Sequence, residues 1–587
     1  MLHSRGYVIS GVKRLDGKQL GKHVIRLAKA SDASPHDKSA RSKSTSAIPV
    51  VTAQHVEHIR PMNDWKLNFE DTTQSLACKS SYELALASAI FQVCSIQPLV
   101  KNAKDMYSYA TKVLGHGIPD AVVRASFFKH FCGGESSGDL KPVVQKLGVH
   151  GIGAILDYAA EADVAHTPEA RPGMSASAEA MEQQFEGNAR IIMDAIDAAS
   201  EVSASGGKEG FTAVKLTGMG RPEMLSRISS ILTWLRQTFA RLDDDGNGLL
   251  TQEEFIKGLS KAGSNLSHEE LCSIYQSIDA NKDSMVDVTD WMDSLWPSDP
   301  KFSLIFTSSF KHLQGPQFRS LDDEECYQYQ TMLDRLEKLA AYAELKGVKL
   351  LVDAEQSYMQ PAIDHLALVL MRRHNHENPV IFNTYQCYLV DSFDRVKLDV
   401  QRAERYGFVF AAKVVRGAYM HQERKLAAEQ GYPDPIHPNI EATHKNFDAV
   451  VDFLISRKGQ MDPETFKAET EEETERRKKL AIMIASHNEE SILKAAEKMN
   501  QMEISPAQSG IYFGQLQGMC DHVSFALGKK HFNVYKYLPY GPVKEVMPYL
   551  LRRLEENSDI LAGVKKQKKL IMTELSRRLG WRKHASC

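Results

Sequence analysis

A chain of 587 residues, 43% hydrophobic and with a net charge of −3, can bury one large core with additions and has no bulk charge excess that attracts nucleic acid. Its eight cysteines show no CxxC and no ligand-like spacing, which argues against a disulfide frame or a zinc site and for reduced thiols inside a cell. The longest apolar stretch, Leu84–Ile96, is too short to span a bilayer, so any membrane contact is expected to be peripheral.

Residues 1–58 stand apart. Arg5, Lys13, Arg14, Lys18, Lys22 and Arg26 lead a basic, serine-rich stretch in which Asp16, Asp32, Asp37 and Glu57 are the acids. That composition is expected of a mitochondrial transit segment and a disordered tail. From Tyr82 to Leu147 apolar residues recur at three and four, predicting a helical arm over 59–147.

Thereafter short apolar runs alternate with amphipathic ones. Eight strands are predicted: Ile152–Asp157, Thr212–Leu216, Lys349–Asp353, Val380–Tyr385, Val409–Val415, Leu480–Ser486, Ile511–Gln515 and Val534–Tyr537. Gln360–Arg373, Ser392–Tyr406, Ile440–Arg457 and Glu489–Met502 read as the helices between them. Strands apolar nearly throughout, each followed by a helix, indicate a parallel sheet covered by helices. Eight such units predict a (βα)8 barrel in the α/β class over 148–227 and 300–587. No GxGxxG follows a strand, which argues against a Rossmann site. Polar residues gather at the C-terminal ends of the strands, where barrel enzymes place their chemistry: Lys215, Asp353, Gln386, Lys413, Arg416, Ser486, His487, Gln515 and Tyr537. The glutamate-rich stretch Pro463–Lys479 reads as a solvated helix or loop.

An insertion over 228–299 lies between the second and third strands. Asp243, Asp245, Asn247, Gly248, Thr251 and Glu254 fit D-x-[DN]-x-[DN]-G-x5-E. In such a loop the first, third and fifth positions give side-chain oxygens, Leu249 gives its carbonyl, and Glu254 closes as a bidentate ligand, so Ca2+ is expected. Asp279, Asn281, Asp283, Asp287 and Asp290 repeat the pattern with Ser284 for the glycine and a shorter closing acid. The expected result is an EF-hand pair with one good site and one weak or structural site.

Near the C-terminus, YKYLPYGPVKEVMPYLLRRLEEN carries a strand ending at Tyr537, a turn through Pro539, Gly541 and Pro542, and a helix with Arg552, Arg553 and Glu556. Arg552 and Glu556 are one turn apart, with Arg553 alongside. Two guanidiniums braced by a carboxylate suit the carboxylate of a small zwitterion.

The segments AVKLTGMGRPE, LLVDAEQSYMQPAI, IFNTYQCYL, AAKVVRGAYMHQERKLA, IASHNEE, IYFGQLQGMCDHVSF and YLPYGPVKEVMPYLLRRLEEN resemble, in order and one per strand, the mitochondrial proline dehydrogenase family of eukaryotes. The resemblance runs with gaps from about Ser81 to Leu579. It implies an FAD enzyme that oxidises L-proline to 1-pyrroline-5-carboxylate on the matrix side of the inner membrane and passes electrons to a membrane quinone such as ubiquinone. It further implies that Arg552 and Arg553 grip the substrate carboxylate, Glu556 braces them, Lys215 and Asp353 lie beneath the substrate, and Tyr537 packs on its ring. Ala354, Gln386, Lys413, Val415, Arg416, Gly417, Tyr419, Ser486, His487 and Gln515 become the implied flavin contacts, with Tyr419 towards the substrate. Two positions depart from bacterial members, which carry arginine at Lys413 and threonine at Ser486; charge and hydroxyl are kept. Hydroxyproline oxidases of the same family and a catalytically dead calcium-binding barrel are the alternatives. Retention of Arg552, Arg553, Asp353 and Lys215 argues against the dead barrel.

Overall fold

The structure, a computed structural model, describes residues 67–580 apart from 77, 159–177, 310–318, 460–474, 476–478, 508 and 560. The basic segment 1–58 and nearly all of the glutamate-rich stretch lie outside the described residues.

Eight parallel strands close into a barrel. They are β1 (Ile152–Tyr158), β2 (Gly210–Val214), β5 (Val348–Val352), β6 (Ile381–Gln386), β7 (Ala411–Val415), β8 (Ala481–Ala485), β9 (Ile511–Leu516) and β10 (Asn533–Tyr540), and β1 closes on both β2 and β10. All eight strands expected from the apolar runs are present. β3 (Leu249–Leu250) and β4 (Val286–Asp287) form a separate antiparallel ribbon. The last barrel strand exceeds its expected length. It continues through Pro539 because β1 runs equally far, pairing Asp157 with Pro539 and Tyr158 with Tyr540.

Alternation along the strands creates two cores. Outward residues such as Val214, Val352, Val414, Ile482 and Val534 join the helical coat in one large cluster. Inward residues, among them Ile155, Phe211, Leu351, Phe382, Ala411, Met483, Tyr512 and Tyr535, fill the barrel. Phe211 meets Tyr535 and Tyr512 edge-on at 4.8 and 5.1 Å, an aromatic plug within the cylinder. Side chains alternate with period two, so the inner face continues to Asp157, Lys215, Asp353, Gln386, Lys413 and Tyr537. The plug fills the barrel below and leaves the polar residues at its mouth.

The insertion is not a separate hydrophobic body. Its first helix, Pro222–Leu242, starts at a proline before the expected boundary, and Leu242, Leu250, Phe255, Leu259, Trp291 and Phe302 share one core with the barrel coat. The core also reaches past the expected end at 299, because Phe306 packs on Trp234 at 4.3 Å. Buried apolar contact, not motif length, sets these limits.

The helical arm begins at Ser81–Cys94, capped by Ser80 and Glu83 in a reciprocal capping box. It packs against two helices, Val543–Asp559 and Leu561–Arg578. Ile90, Cys94, Phe128 and Phe131 meet Val546, Tyr549 and Leu550 of the former. Leu84 and Phe91 meet Ile571 of the latter.

Candidate active site at the barrel mouth

Asp353, just past the end of β5, joins side chains from two other strands. Lys413 Nζ on β7 is 2.5 Å from its Oδ1, and the Tyr537 hydroxyl on β10 donates to Oδ2 at 3.2 Å. The Lys413 ammonium is also 6.0 Å from the Tyr537 ring centroid. The resemblance put Lys413 with the cofactor contacts; its geometry joins it equally to the Asp353–Tyr537 group. Burial, then Asp157 and Asp353, push the Tyr537 hydroxyl well above its ordinary range, so it stays a proton donor to Asp353.

The helix Val543–Asp559 follows Gly541, whose φ of 136° admits glycine readily and turns the chain back over the mouth. Arg553 makes an ion pair with Glu556 at 2.7 Å. Helical geometry allows either spacing, and the half-buried Arg553 is the one turned inward. Its Cζ is 5.1 Å from the Tyr549 ring centroid. Arg553 Nε and the Tyr549 hydroxyl are buried without hydrogen-bond partners among the described residues. Buried donors of this kind are costly unless something accepts from them, and a carboxylate would.

Arg552 is more exposed, yet it belongs to the same cluster. Burial and Glu355 push the Tyr419 hydroxyl up, Lys215 and Arg552 pull it down, and Asp353 raises it again. All four charges are thus within electrostatic range of one hydroxyl. Lys215 and Arg552, expected beneath and above a substrate, therefore lie near the same hydroxyl as Asp353.

The implied flavin contacts occupy the β6–β9 side. Gln386 Nε2 donates to the Glu355 carbonyl at 2.8 Å. Arg416 donates from Nε to His444 Nδ1 and from its two terminal nitrogens to Ser486 and Ser491, each at 2.8 Å. Its guanidinium also covers the Phe447 ring at 4.2 Å. A cation so fixed has little rotamer entropy left to lose on binding an anion. Gly417 follows with φ 138°, and a Cβ there would sit 2.4 Å from the Tyr388 ring. Gln515 donates to the Ser486 carbonyl at 3.4 Å and accepts from Ser524 at 3.0 Å.

His487 accepts a hydrogen bond from the Leu516 amide at 3.0 Å. Burial first, then the cations Lys536, Arg553 and Arg416, push it down to about 3, so it stays neutral and structural. Two fixed cations, two buried amides and a hydroxyl make a lining that fits an anionic, hydrogen-bonding heterocycle bearing phosphates. Ala354 and Val415 are half-buried beside it.

Sequence reasoning missed Asp157, Tyr549 and His444. Asp157 lies next to the end of β1 as Asp353 follows β5, so the rule that found the others could have found it. Tyr549 is one turn before Arg553 and could have been read from helical spacing. His444 lies in the helix Ile440–Gly459, and nothing local marks it.

In the insertion, the carboxylate oxygens of Asp243, Asp245 and Glu254 lie within 4.8 Å of one another. Asp243 Oδ1 is buried without a partner among the described residues, while its Oδ2 accepts from Gly248 N at 2.9 Å. Asn247 and Leu249 follow in the tight turn, and Thr251 caps the next helix through Glu254. In the second loop Asp279 accepts from Ser284 N at 2.9 Å, and Asn281 and Asp283 hold each other. Its closing acids differ from those of the first: Asp287 and Asp290 both bind Arg405 of the barrel helix Ser392–Tyr406. Burial and the adjoining Asp287 raise Asp290 to about 6 despite Arg405.

A family model described as "Proline dehydrogenase" matches residues 141–566. "Proline dehydrogenase 1, mitochondrial" of Caenorhabditis elegans is 34% identical, covering 90% of this chain and 91% of its own. The protein of that name from Homo sapiens is also 34% identical, over 87% of this chain and 90% of its own. A "Hydroxyproline dehydrogenase" of Xenopus laevis is 32% identical over 85% of this chain and 88% of its own. With its closed parallel barrel and its convergent Asp353, Lys413, Tyr537 and Arg553, this chain belongs to the proline dehydrogenase family.

Proposed function

We propose that the chain oxidises L-proline to 1-pyrroline-5-carboxylate with FAD and passes the electrons to a membrane quinone, at the inner membrane of the mitochondrion. The observation that carries the reading is the Lys413–Asp353–Tyr537 group at the strand ends, with Tyr549 near enough to act on the Tyr537 hydroxyl and carrying Arg553, the partner of Glu556, over its ring. Arg553 and Arg552 bind the substrate carboxylate, and Glu556 fixes the Arg553 fork. Asp353 accepts from the Tyr537 hydroxyl and so holds that ring against the pyrrolidine. Lys413 offsets the Asp353 charge and keeps the carboxylate oriented. Bound FAD supplies the hydride acceptor, and Gln386, Lys413, Arg416, Ser486 and Gln515 are the residues that hold it.

Anaerobic titration with proline tests this. The purified protein should show a flavin spectrum that proline bleaches, with trans-4-hydroxy-L-proline far less effective. A flavin that proline leaves oxidised refutes the reading. Tyr537 decides the preference, since its anchored ring crowds a 4-hydroxyl. Tyr537→Ser should lower the ratio of kcat/KM for proline over hydroxyproline by about tenfold or more, the range of a small steric change in a pocket. Equal efficiency on both substrates in the unmutated enzyme would support the hydroxyproline alternative.

Ca2+ is proposed for the first loop alone, through Asp243, Asp245, Asn247, Leu249, Thr251 and Glu254. Support comes from the clustered carboxylates and the unpartnered Asp243 oxygen. In the second loop Arg405 already neutralises the closing acids, which leaves it a structural role. Calorimetry should therefore find one Ca2+ per chain, abolished by Glu254→Gln. Ca2+ binding should raise Tm, because the loop's core is continuous with the barrel coat. Two equivalents bound, or a Tm indifferent to Ca2+, would contradict this assignment. The insertion lies between β2 and β5, so turnover with chelator tests whether the ion also adjusts Asp353.

A further inference from the structure

The arm that packs on the pocket-bearing helix has an apolar outer side. Helix Ala103–Leu114 has no buried residue, and the shorter helix Gly117–Val123 continues beyond Gly115. Met106, Tyr109 and Val113 form one stripe by helical spacing, exposed by 51, 70 and 62%. Beyond the break at Gly115, Ile118 and Val122, four residues apart, are exposed by 59 and 62%, and Leu114 at the end of the first helix by 55%. Scattered exposed apolar residues are ordinary, but six large ones in seventeen positions are not.

Charge narrows what could cover this side. Residues 97–131 carry Lys101, Lys104, Lys112 and Lys129 against Asp105 and Asp120, with Arg124 already paired to Glu135, in a chain whose net charge is −3. Asp120 is already engaged, accepting from the Tyr107 hydroxyl at 2.7 Å. By helical spacing Lys112 lies on the stripe beside the apolar one, with Asp105 next to it, and Lys104 is on the far side. A second copy would bring like charges together; an anionic lipid surface would neutralise them. Apolar and aromatic residues flanked by lysines, on helices too short to cross a bilayer, are the pattern of an interfacial helix. Among the described residues no helix is long and apolar enough to cross a membrane.

We propose that the helices Ala103–Leu114 and Gly117–Val123 are a membrane-docking element that inserts Met106, Tyr109, Val113, Leu114, Ile118 and Val122 into a bilayer containing anionic phospholipid. The opposite side of the arm explains its use. Phe128 and Phe131 pack on Val546, Tyr549 and Leu550, so the helix bearing Arg553 is one layer away from the docked surface. A lipid-dissolved electron acceptor is thereby brought close to the barrel mouth; this part rests on the proposed quinone oxidation, whereas docking does not.

The full-length protein is tested by co-sedimentation with phosphatidylcholine vesicles, with and without cardiolipin. It should bind the cardiolipin vesicles and leave neutral ones largely in solution. Tyr109→Ser with Val113→Ser, and separately Ile118→Ser with Val122→Ser, should each weaken binding by about tenfold or more. Lys112→Glu should do the same and lose its residual binding in salt. All three variants should keep proline turnover with a water-soluble dye while losing turnover with ubiquinone in vesicles. Unchanged sedimentation of the serine variants, or an unmutated protein that binds neither vesicle, overturns the proposal. So does a dimer, seen by sedimentation velocity, that the serine pairs dissociate. Failure of proline to reduce the flavin with vesicle binding intact would instead refute the proposed oxidation and leave docking standing.

Discussion

Arg553→Met is expected to reduce kcat/KM for proline by about 10²–10³-fold, with circular dichroism and flavin content unchanged. Removing one member of a desolvated charge pair costs about 3–5 kcal/mol, and about 1.4 kcal/mol is a factor of ten. Arg553 is half-buried, so solvent screening places the effect at the lower end of that range. Two losses combine. The substrate carboxylate loses a charge-assisted donor, and Glu556 is left facing it without the guanidinium at 2.7 Å. Arg552 is the more exposed of the two, which predicts a smaller effect there. Arg553→Lys keeps the charge without the fork and should fall between unmutated and methionine forms. Most of the loss should appear in KM, because carboxylate binding is common to ground and transition states. A change below about threefold would separate Arg553 from the substrate and with it the carboxylate clamp.

Lys413→Met is expected to lower kcat by about 10²-fold, and Asp353→Asn by a comparable amount. Burying Asp353 without its ammonium leaves a charge that must protonate or draw in water. Either outcome loosens the hydrogen bond that fixes Tyr537 at 3.2 Å. Because the two residues act through one contact, the double variant should cost much less than the sum of the singles. A double-mutant cycle should show a coupling above about 1 kcal/mol. Additive losses would mean that Lys413 serves only the cofactor side. Lys413→Arg should retain most activity, since a guanidinium can occupy the same position between Asp353 and the Tyr537 ring.

The barrel was legible because its signal is local and repeated. Each barrel strand is an apolar run with a helix behind it, and each run had to be buried on both faces. Once strands were assigned, period two put Lys215, Asp353, Lys413 and Tyr537 on the inner face with no further information. The first calcium-like loop was equally local, since all its oxygens come from one short segment. The same reasoning stopped short before Pro539, where a turn residue sits inside a strand because β1 supplies a partner of equal length.

What stayed hidden was every pairing between distant segments. Arg405 and Asp287 look like separate surface charges until the insertion folds against the helix after β6. His444 becomes a partner of Arg416 only when the helix before β8 crosses the end of β7. The exposure of Met106 and Tyr109 is likewise unreadable, because an amphipathic stripe says that a face is apolar and not whether protein covers it. Composition and periodicity determined the class of fold, the strands and the ring of polar residues at their ends, since each depends on neighbours along the chain. Only the closed barrel decided which charges meet, which arginine is turned inward and which apolar face is left open. Coulomb and packing energies depend on separation in space, and the chain acquires those separations only by folding.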